Sequence, residues 1–165
     1  MSSKNYLSIY AKSFNWAGFF LPKKTYKNCS YLYDFCRVVD NIADDEDEIE
    51  IKKIKFQKFV SDFKQKNFEN PVIQNMWNII HEFNISLEII YDLFDGIESD
   101  IKQNVKIDTR KDLLIYCYRV AGTVGLMMAK ILKVSKKQSL KSAIDLGIAM
   151  PVSYTHLRAH ETGYN

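Results

Sequence analysis

The sequence predicts an all-α protein, and three observations lead to that prediction. Glycine and proline are scarce, since the 165 residues include only 6 glycines and 3 prolines. Apolar residues recur at intervals of three and four, as they do along one face of an α-helix. The composition, 47% hydrophobic and 26% charged, is that of an ordinary globular domain. A chain of this length can bury a core without disulfides or metals.

Four helices are predicted in the first hundred residues. Pro22 suits the first turn of the first helix, and the acidic run 44–48 ends it. Asn70 with Pro71 begins the third helix, and Ser86 can cap the fourth. The predicted helices are, in order, 22–42, 51–63, 71–80 and 86–100.

The longest apolar stretch runs from Leu113 to Leu132 and predicts a central, buried helix. Thr109 and Asp112 have the spacing of a capping box at its start. Twenty apolar residues could also span a membrane, but Arg119 near the middle would be costly in hydrocarbon. A further helix is expected to begin at a Ser135 cap.

Residues 151–165 differ from what precedes them. Pro151 falls in an unfinished apolar run and is expected to end the helical pattern. The string from Val152 to Thr162 looks like an in-frame translation of a transposon-type sequencing adapter. We therefore predict a domain over 1–150 followed by an artefactual tail, with a natural polar C-terminus as the alternative. His156 and His160 have the spacing of a metal pair, but we discount them with the tail.

Charge and cysteine usage exclude several classes of protein. The net charge is +3, and the 23 basic residues comprise 19 lysines and 4 arginines. The lysines alternate with acids and apolar residues, which indicates solvated helix faces and no nucleic-acid partner. Three scattered cysteines indicate no disulfide framework or zinc site. Without a signal peptide, a cytoplasmic protein is expected.

The sharpest motif is formed by Tyr33, Arg37, Asp40 and Asp44. At about 100° per residue, these four side chains project from one side of a helix. Carboxylates one turn apart repel each other, so a shared cation would stabilise them, and oxygen ligands suit Mg²⁺ bound to a substrate phosphate. Arg37 would supply a phosphate donor. The alternative is a solvated helix face, although aromatic and apolar neighbours weaken it.

A second motif is a stripe of small residues, Ala121, Gly125 and Ala129, to which Gly122 adds. Each glycine inside a helix costs about 1 kcal/mol relative to alanine, so these glycines need a reason. Close helix packing is one reason, and room for a long apolar ligand is the other. The spacing alone does not choose between them.

Together these blocks resemble the squalene/phytoene synthase family. The resemblance covers about residues 5–150 and is most specific in the run from Tyr116 to Met128, which is most similar to the bacterial phytoene-synthase branch. Its ordered blocks are Ser13-Phe14, Leu21-Pro22, Tyr33-x-x-Cys36-Arg37-x-x-Asp40-x-x-x-Asp44, Gly96-x-x-x-Asp100 and Tyr116-Cys117-Tyr118-Arg119-Val120-Ala121-Gly122-Thr123-Val124-Gly125-Leu126-Met127-Met128.

The resemblance implies an isoprenoid-synthase helical bundle around a deep apolar cavity, here truncated. It implies that Asp40 and Asp44 bind Mg²⁺, with Mn²⁺ as the alternative ion, on a substrate diphosphate. Arg37 and Ser13 would contact diphosphate oxygens, and Tyr33 and Tyr116 would lie near the reacting carbons. The residues implied to contact the substrate chain are Phe14, Val120, Ala121, Gly122 and Gly125.

The implied activity is head-to-head condensation of two prenyl diphosphates, with geranylgeranyl diphosphate as the expected substrate and phytoene as the product. A squalene or dehydrosqualene synthase that uses farnesyl diphosphate is the close alternative. Non-catalytic relatives serve as assembly factors, but the intact Arg37, Asp40 and Asp44 argue against that role. A helical di-metal protein would need Glu-x-x-His pairs, and His81 lacks the glutamate.

The resemblance fails after Met150. The family continues with a Gln, an Asn and a second aspartate-rich motif, where this sequence has Pro151, Tyr154 and Arg158. Half of the implied Mg²⁺ site is therefore missing, and we expect the 165-residue chain to be inactive as a synthase. Lipid substrates also suggest peripheral contact with the inner membrane.

Overall fold

The computed structural model describes residues 18, 20–102 and 107–161, and from residue 150 onward it describes the backbone alone. This part of the chain is helical and contains no β-strand, so the all-α prediction is confirmed. Its elements are α1 (Lys23–Asp44), α2 (Ile49–Lys64), α3 (Pro71–Phe83), α4 (Leu87–Ile101), α5 (Arg110–Cys117), a π-helical segment (Tyr118–Gly122), α6 (Thr123–Ile131) and α7 (Lys137–Glu161).

Local capping signals fix several helix ends. The Asn70 side chain accepts a hydrogen bond from the Val72 amide, and Ser86 accepts one from Glu88. Thr109 and Asp112 form the predicted capping box. α1 ends at Asp44, where the acidic run begins.

The core is an aromatic cluster between α1, α2, α3 and α4. Phe35 of α1 and Phe63 of α2 are completely buried, with ring centroids 5.6 Å apart. Phe94 of α4 meets Phe63 edge-on at 5.4 Å. Trp77 of α3 stacks on Phe63 at 5.2 Å, and its indole nitrogen donates a 3.0 Å hydrogen bond to the Phe63 carbonyl. Phe63 therefore joins three helices to its own.

The predicted central helix is a continuous rod of α5, the π segment and α6, which contacts α1, α4 and α7. The stretch Arg110–Ile131 is long and apolar enough to cross a membrane by length and composition, a test that core helices of soluble proteins also pass. A third of its most apolar window is buried. Leu114 and Ile115 are more than 40% exposed, so the expectation of nearly complete burial is wrong for the described residues.

The last helix corrects two expectations. It begins at Lys137, two residues after the predicted Ser135 cap, and it continues through Pro151 to Glu161. Proline lacks the amide donor of one helical hydrogen bond, which costs about 3 kcal/mol but leaves the other turns available. The origin of residues 151–165 stays a prediction.

Replacing Phe63 with alanine tests the role of the aromatic cluster. We expect Phe63→Ala to lower the free energy of unfolding by about 3–5 kcal/mol, because it opens a cavity where four helices meet. Phe68→Ala is the control, since Phe68 is 46% exposed and the change should stay within about 0.5 kcal/mol. Urea denaturation followed by circular dichroism measures both, and equal losses would contradict this account of the core.

Candidate active site

The burial of one face of α1 determines where its charged residues lie. Leu32, Phe35 and Val39 are completely buried in the core. Arg37 and Asp40 lie on the other side of the helix and are half-buried, and Arg37 Nη1 donates a 2.9 Å hydrogen bond to Asp40 Oδ2. This ion pair holds the guanidinium and the carboxylate together at one end of the bundle.

Asp40 carries a negative charge in an unfavourable place. Burial raises the pKa of its carboxyl above the ordinary value, and the nearby charge of Asp44 raises it further. Arg37 partly offsets this rise in the pKa through its charge and its hydrogen bond. The site therefore holds more negative charge than its own residues neutralise, which favours a bound cation.

A second pair reaches the same end of the bundle from α4 and α5. The Tyr116 hydroxyl donates a 2.8 Å hydrogen bond to Asp100 Oδ1. Burial raises the pKa of Asp100, the hydrogen bond from Tyr116 lowers it, and the charges of Asp40 and Asp44 raise it. Asp100 thus lies within electrostatic range of both α1 carboxylates.

Tyr116 is held as a neutral hydrogen-bond donor. Burial raises its pKa well above the ordinary value, and the hydrogen bond to the Asp100 carboxylate adds to that rise. The charges of Asp100 and Asp40 act in the same direction. Tyr116 therefore keeps its proton throughout the physiological pH range.

The motif Gly96-x-x-x-Asp100 does not by itself identify Asp100 as a site residue, so the sequence prediction misses it. Gly96 shows what the motif does. A Cβ at Gly96 would lie 3.0 Å from Arg119 Cβ and from Val120 Cγ1. The absent side chain therefore lets α4 approach the π segment closely, one turn before Asp100.

Two lysines of α2 fix the end of α1, and the prediction of solvated lysine faces missed both contacts. Lys52 Nζ donates a 2.9 Å hydrogen bond to the Ala43 carbonyl in the last turn of α1. Lys55 pairs with Asp45 at 2.9 Å and also with Asp47. Two of the five acidic residues in the run thus share one lysine, whereas the charge of Asp44 acts on Asp40 and Asp100.

Close packing accounts for the glycines of the small-residue stripe. A Cβ at Gly125 would lie 2.5 Å from the Ala143 carbonyl oxygen of α7. A Cβ at Gly147 would lie 2.6 Å from the Ala121 carbonyl oxygen, so the two helices meet backbone to backbone. Gly122 also faces α7, at Ile144.

The predicted substrate contacts, including Ala121, Gly122 and Gly125, stay predictions. Val120 is half-buried beside Gly96, and Tyr33 is half-buried on α1. Ser13 and Phe14 lie outside the described residues. A groove of about 540 Å³ lies between α2 and α4, but none of the predicted site residues lines it.

The carboxylates do not form a complete metal cage. Within the described part of the chain, no three His, Cys, Asp or Glu side chains are grouped closely enough to hold a metal ion. A cation at Asp40 and Asp44 would therefore take its remaining oxygen ligands from elsewhere. This donor set fits a magnesium ion that is shared with an anionic ligand.

The family model for squalene/phytoene synthase matches residues 7–154. This chain belongs to the squalene/phytoene synthase family. Its Arg37, Asp40 and Asp44 are the residues that the sequence motif singled out, and the structure brings Asp100 and Tyr116 to the same end of the bundle.

Curated relatives in the family carry several names. A phytoene synthase from Pseudescherichia vulneris is 28% identical over 87% of this chain and 50% of its own length. A 4,4'-diapophytoene synthase from Staphylococcus haemolyticus is 32% identical over 74% of this chain and 44% of its own length. A presqualene diphosphate synthase from Sinorhizobium fredii is 27% identical over the same shares. The chain therefore spans about half the length of the curated relatives it matches.

A solved structure of a dehydrosqualene synthase in complex with ligand has the same fold. It superposes with a TM-score of 0.74 at 25% identity, over 90% of this chain and 52% of its own. The isoprenoid-synthase type of helical bundle is therefore confirmed for this part of the fold.

Removing the charge of Asp100 tests the electrostatics of the site. Asp100→Asn keeps an oxygen that can accept the Tyr116 hydrogen bond, but it removes a negative charge near Asp40 and Asp44. Because the pKa of Asp100 is raised in the folded chain, ionisation costs stability as pH rises above the unfolded value. We expect the variant to melt at a higher temperature than wild type at pH 7, and the difference to vanish below about pH 4.

Thermal unfolding between pH 3.5 and 7.5 measures this effect, at buffer values chosen to span the ordinary carboxyl range. Asp108→Asn is a matched control, because Asp108 is exposed on the loop before α5. A gain of stability that is independent of pH would contradict the electrostatic explanation.

Proposed function

We propose that this chain provides the diphosphate-binding half of a prenyltransferase that joins two prenyl diphosphates head to head. The observation that carries the proposal is the group formed by Arg37, Asp40 and Asp44 next to Asp100 and Tyr116, in a member of this family. Geranylgeranyl diphosphate is the proposed substrate and phytoene the product. Farnesyl diphosphate is the alternative, because related proteins include a diapophytoene synthase and a presqualene diphosphate synthase.

In this proposal, Arg37 binds the diphosphate through its guanidinium, while its contact with Asp40 keeps it on the correct face of α1. Asp40 and Asp44 would hold Mg²⁺. When bound, Mg²⁺ would neutralise the charge that develops on the leaving diphosphate. Mn²⁺ would serve the same purpose.

Tyr116 is proposed to lie beside the reacting carbons as a neutral donor. Loss of diphosphate from one substrate would give an allylic cation, the double bond of the second substrate would attack it, and loss of a proton would close the ring of a cyclopropylcarbinyl diphosphate. A second ionisation, rearrangement and proton loss would then give phytoene. Tyr33 and Val120 would shield that cation from water, because water would otherwise capture it. The raised pKa of Tyr116 suits this role, since a phenolate would itself be a nucleophile.

Binding of a slowly reacting substrate analogue tests the proposal on the 165-residue chain. We expect farnesyl and geranylgeranyl thiodiphosphates to bind in a Mg²⁺-dependent manner by isothermal calorimetry. Asp40→Asn and Asp44→Asn should each weaken the Mg²⁺-dependent part at least about tenfold, since even outer ligands of metal sites show effects of that size.

Asp45→Asn and Asp47→Asn are the matched controls. Each removes one negative charge close to Asp44 along the chain, but these two carboxylates pair with Lys55. Equal weakening by all four substitutions would mean that only the overall charge matters, and the proposed site would be wrong. Comparison of the two thiodiphosphates reports which chain length is preferred.

Turnover is a separate expectation. The positions of the family's second aspartate-rich motif hold Pro151, Tyr154 and Arg158, so we expect no condensation product from the 165-residue chain with Mg²⁺ and either diphosphate. Mass spectrometry of the extracted lipids measures this. Detection of phytoene or dehydrosqualene above a heat-denatured control would contradict the expected inactivity while it supported the proposed reaction.

A further inference from the structure

The rod that carries Tyr116 is interrupted by the π segment, Tyr118–Gly122. At its end, the Thr123 amide donates to the Tyr118 carbonyl, five residues earlier. In an α-helix that amide would donate to the Arg119 carbonyl, four residues earlier. Such segments are rare and are often found at functional sites.

The Thr123 side chain donates to the Arg119 carbonyl in place of the Thr123 amide. Its hydroxyl Oγ1 donates a 2.8 Å hydrogen bond to the Arg119 carbonyl. Thr123 is completely buried, so water cannot replace this donor. One residue therefore satisfies two successive carbonyls and stabilises the wide turn.

Two neighbouring helices fit against the same segment. Gly96 of α4 faces Arg119 and Val120, where even a methyl group would lie 3.0 Å from side-chain carbons. On another side, the Ala121 carbonyl approaches Gly147 of α7. The π segment is thus packed between α4 and α7.

The wide turn also determines where the flanking residues point. A π turn holds one residue more than an α turn, so it rotates α6 relative to α5 by about 100°. With this rotation, Tyr116 faces Asp100 on α4 while Gly125 faces Ala143 on α7. A regular helix would not present both residues to the partners they have here.

We propose that Thr123 and Gly96 are positioning residues that hold the π segment and thereby keep Tyr116 hydrogen-bonded to Asp100. Neither Thr123 nor Gly96 is proposed to contact the substrate. The role of the Tyr116–Asp100 pair beside the substrate rests on the proposed function. The geometry that holds this pair involves no ligand.

Carbon-13 NMR of the tyrosine Cζ atoms tests the inference in the 165-residue chain at pH 7. The Tyr116 signal is assigned as the one that disappears in Tyr116→Phe, and its shift reports whether the hydroxyl is hydrogen-bonded. We expect Thr123→Val, which has nearly the same shape but no donor, to move this signal toward that of an unbonded phenol. Thr123→Ser keeps the hydroxyl and should leave the signal in place.

Gly96→Ala is the second variant and covers the case in which Thr123→Val does not fold. It adds one methyl group against the π segment and improves helix propensity, so the chain should remain folded. We expect it also to move the Tyr116 signal. Hydrogen exchange of the amides from Arg119 to Val124 should become faster in both Thr123→Val and Gly96→Ala.

A purely structural role for Thr123 would give a different result. Thr123→Val would then melt at a lower temperature while the Tyr116 signal stayed at its wild-type position, and that outcome would overturn the inference. An unmoved signal in Gly96→Ala would overturn the part that concerns Gly96. If the signals move as expected but wild-type chain binds no thiodiphosphate, the inference stands and the proposed function fails.

Discussion

The burial of Phe35 is the constraint on which the candidate site depends. Its ring lies at zero exposure among the rings of Phe59, Phe63 and Phe94, so α1 cannot rotate about its axis without opening the core. Because α1 is fixed in this way, Arg37 and Asp40 stay on the opposite face. The aromatic core thus determines the orientation of the acidic site without touching it.

The site is electrostatically unfavourable in the chain alone. Asp40 and Asp100 both have raised pKa values, with burial as the largest cause and like charges as a second one. Local ion pairs offset some of the charge, since Lys55 pairs with both Asp45 and Asp47. A fold optimised for stability alone would not gather these carboxylates, and functional sites are where such conflicts are expected. The accumulated negative charge therefore makes no favourable contribution to folding, which agrees with the cation proposed for Asp40 and Asp44.

The sequence predicted what depends on neighbours along the chain. Helical spacing and the caps at Asn70, Ser86 and Thr109 are local properties, and the structure confirms them. The charged face of α1 follows from the same periodicity. The bond between Tyr116 and Asp100 joins positions 16 apart on different helices, so no periodicity could reveal it. The π segment also escaped prediction, because a hydroxyl that replaces a displaced amide bond leaves no pattern in the sequence.

The small-residue stripe shows why spacing alone could not choose between a ligand and a helix. Both explanations need a missing side chain at the same interval, and only the atoms opposite each glycine distinguish them. Opposite Gly125 lies the Ala143 carbonyl, which is backbone and cannot move aside as a flexible side chain could. α7 therefore fills the space beside Gly122 and Gly125. The hydrogen bond between Tyr116 and Asp100 lies on a different face of the rod, the one directed toward α4.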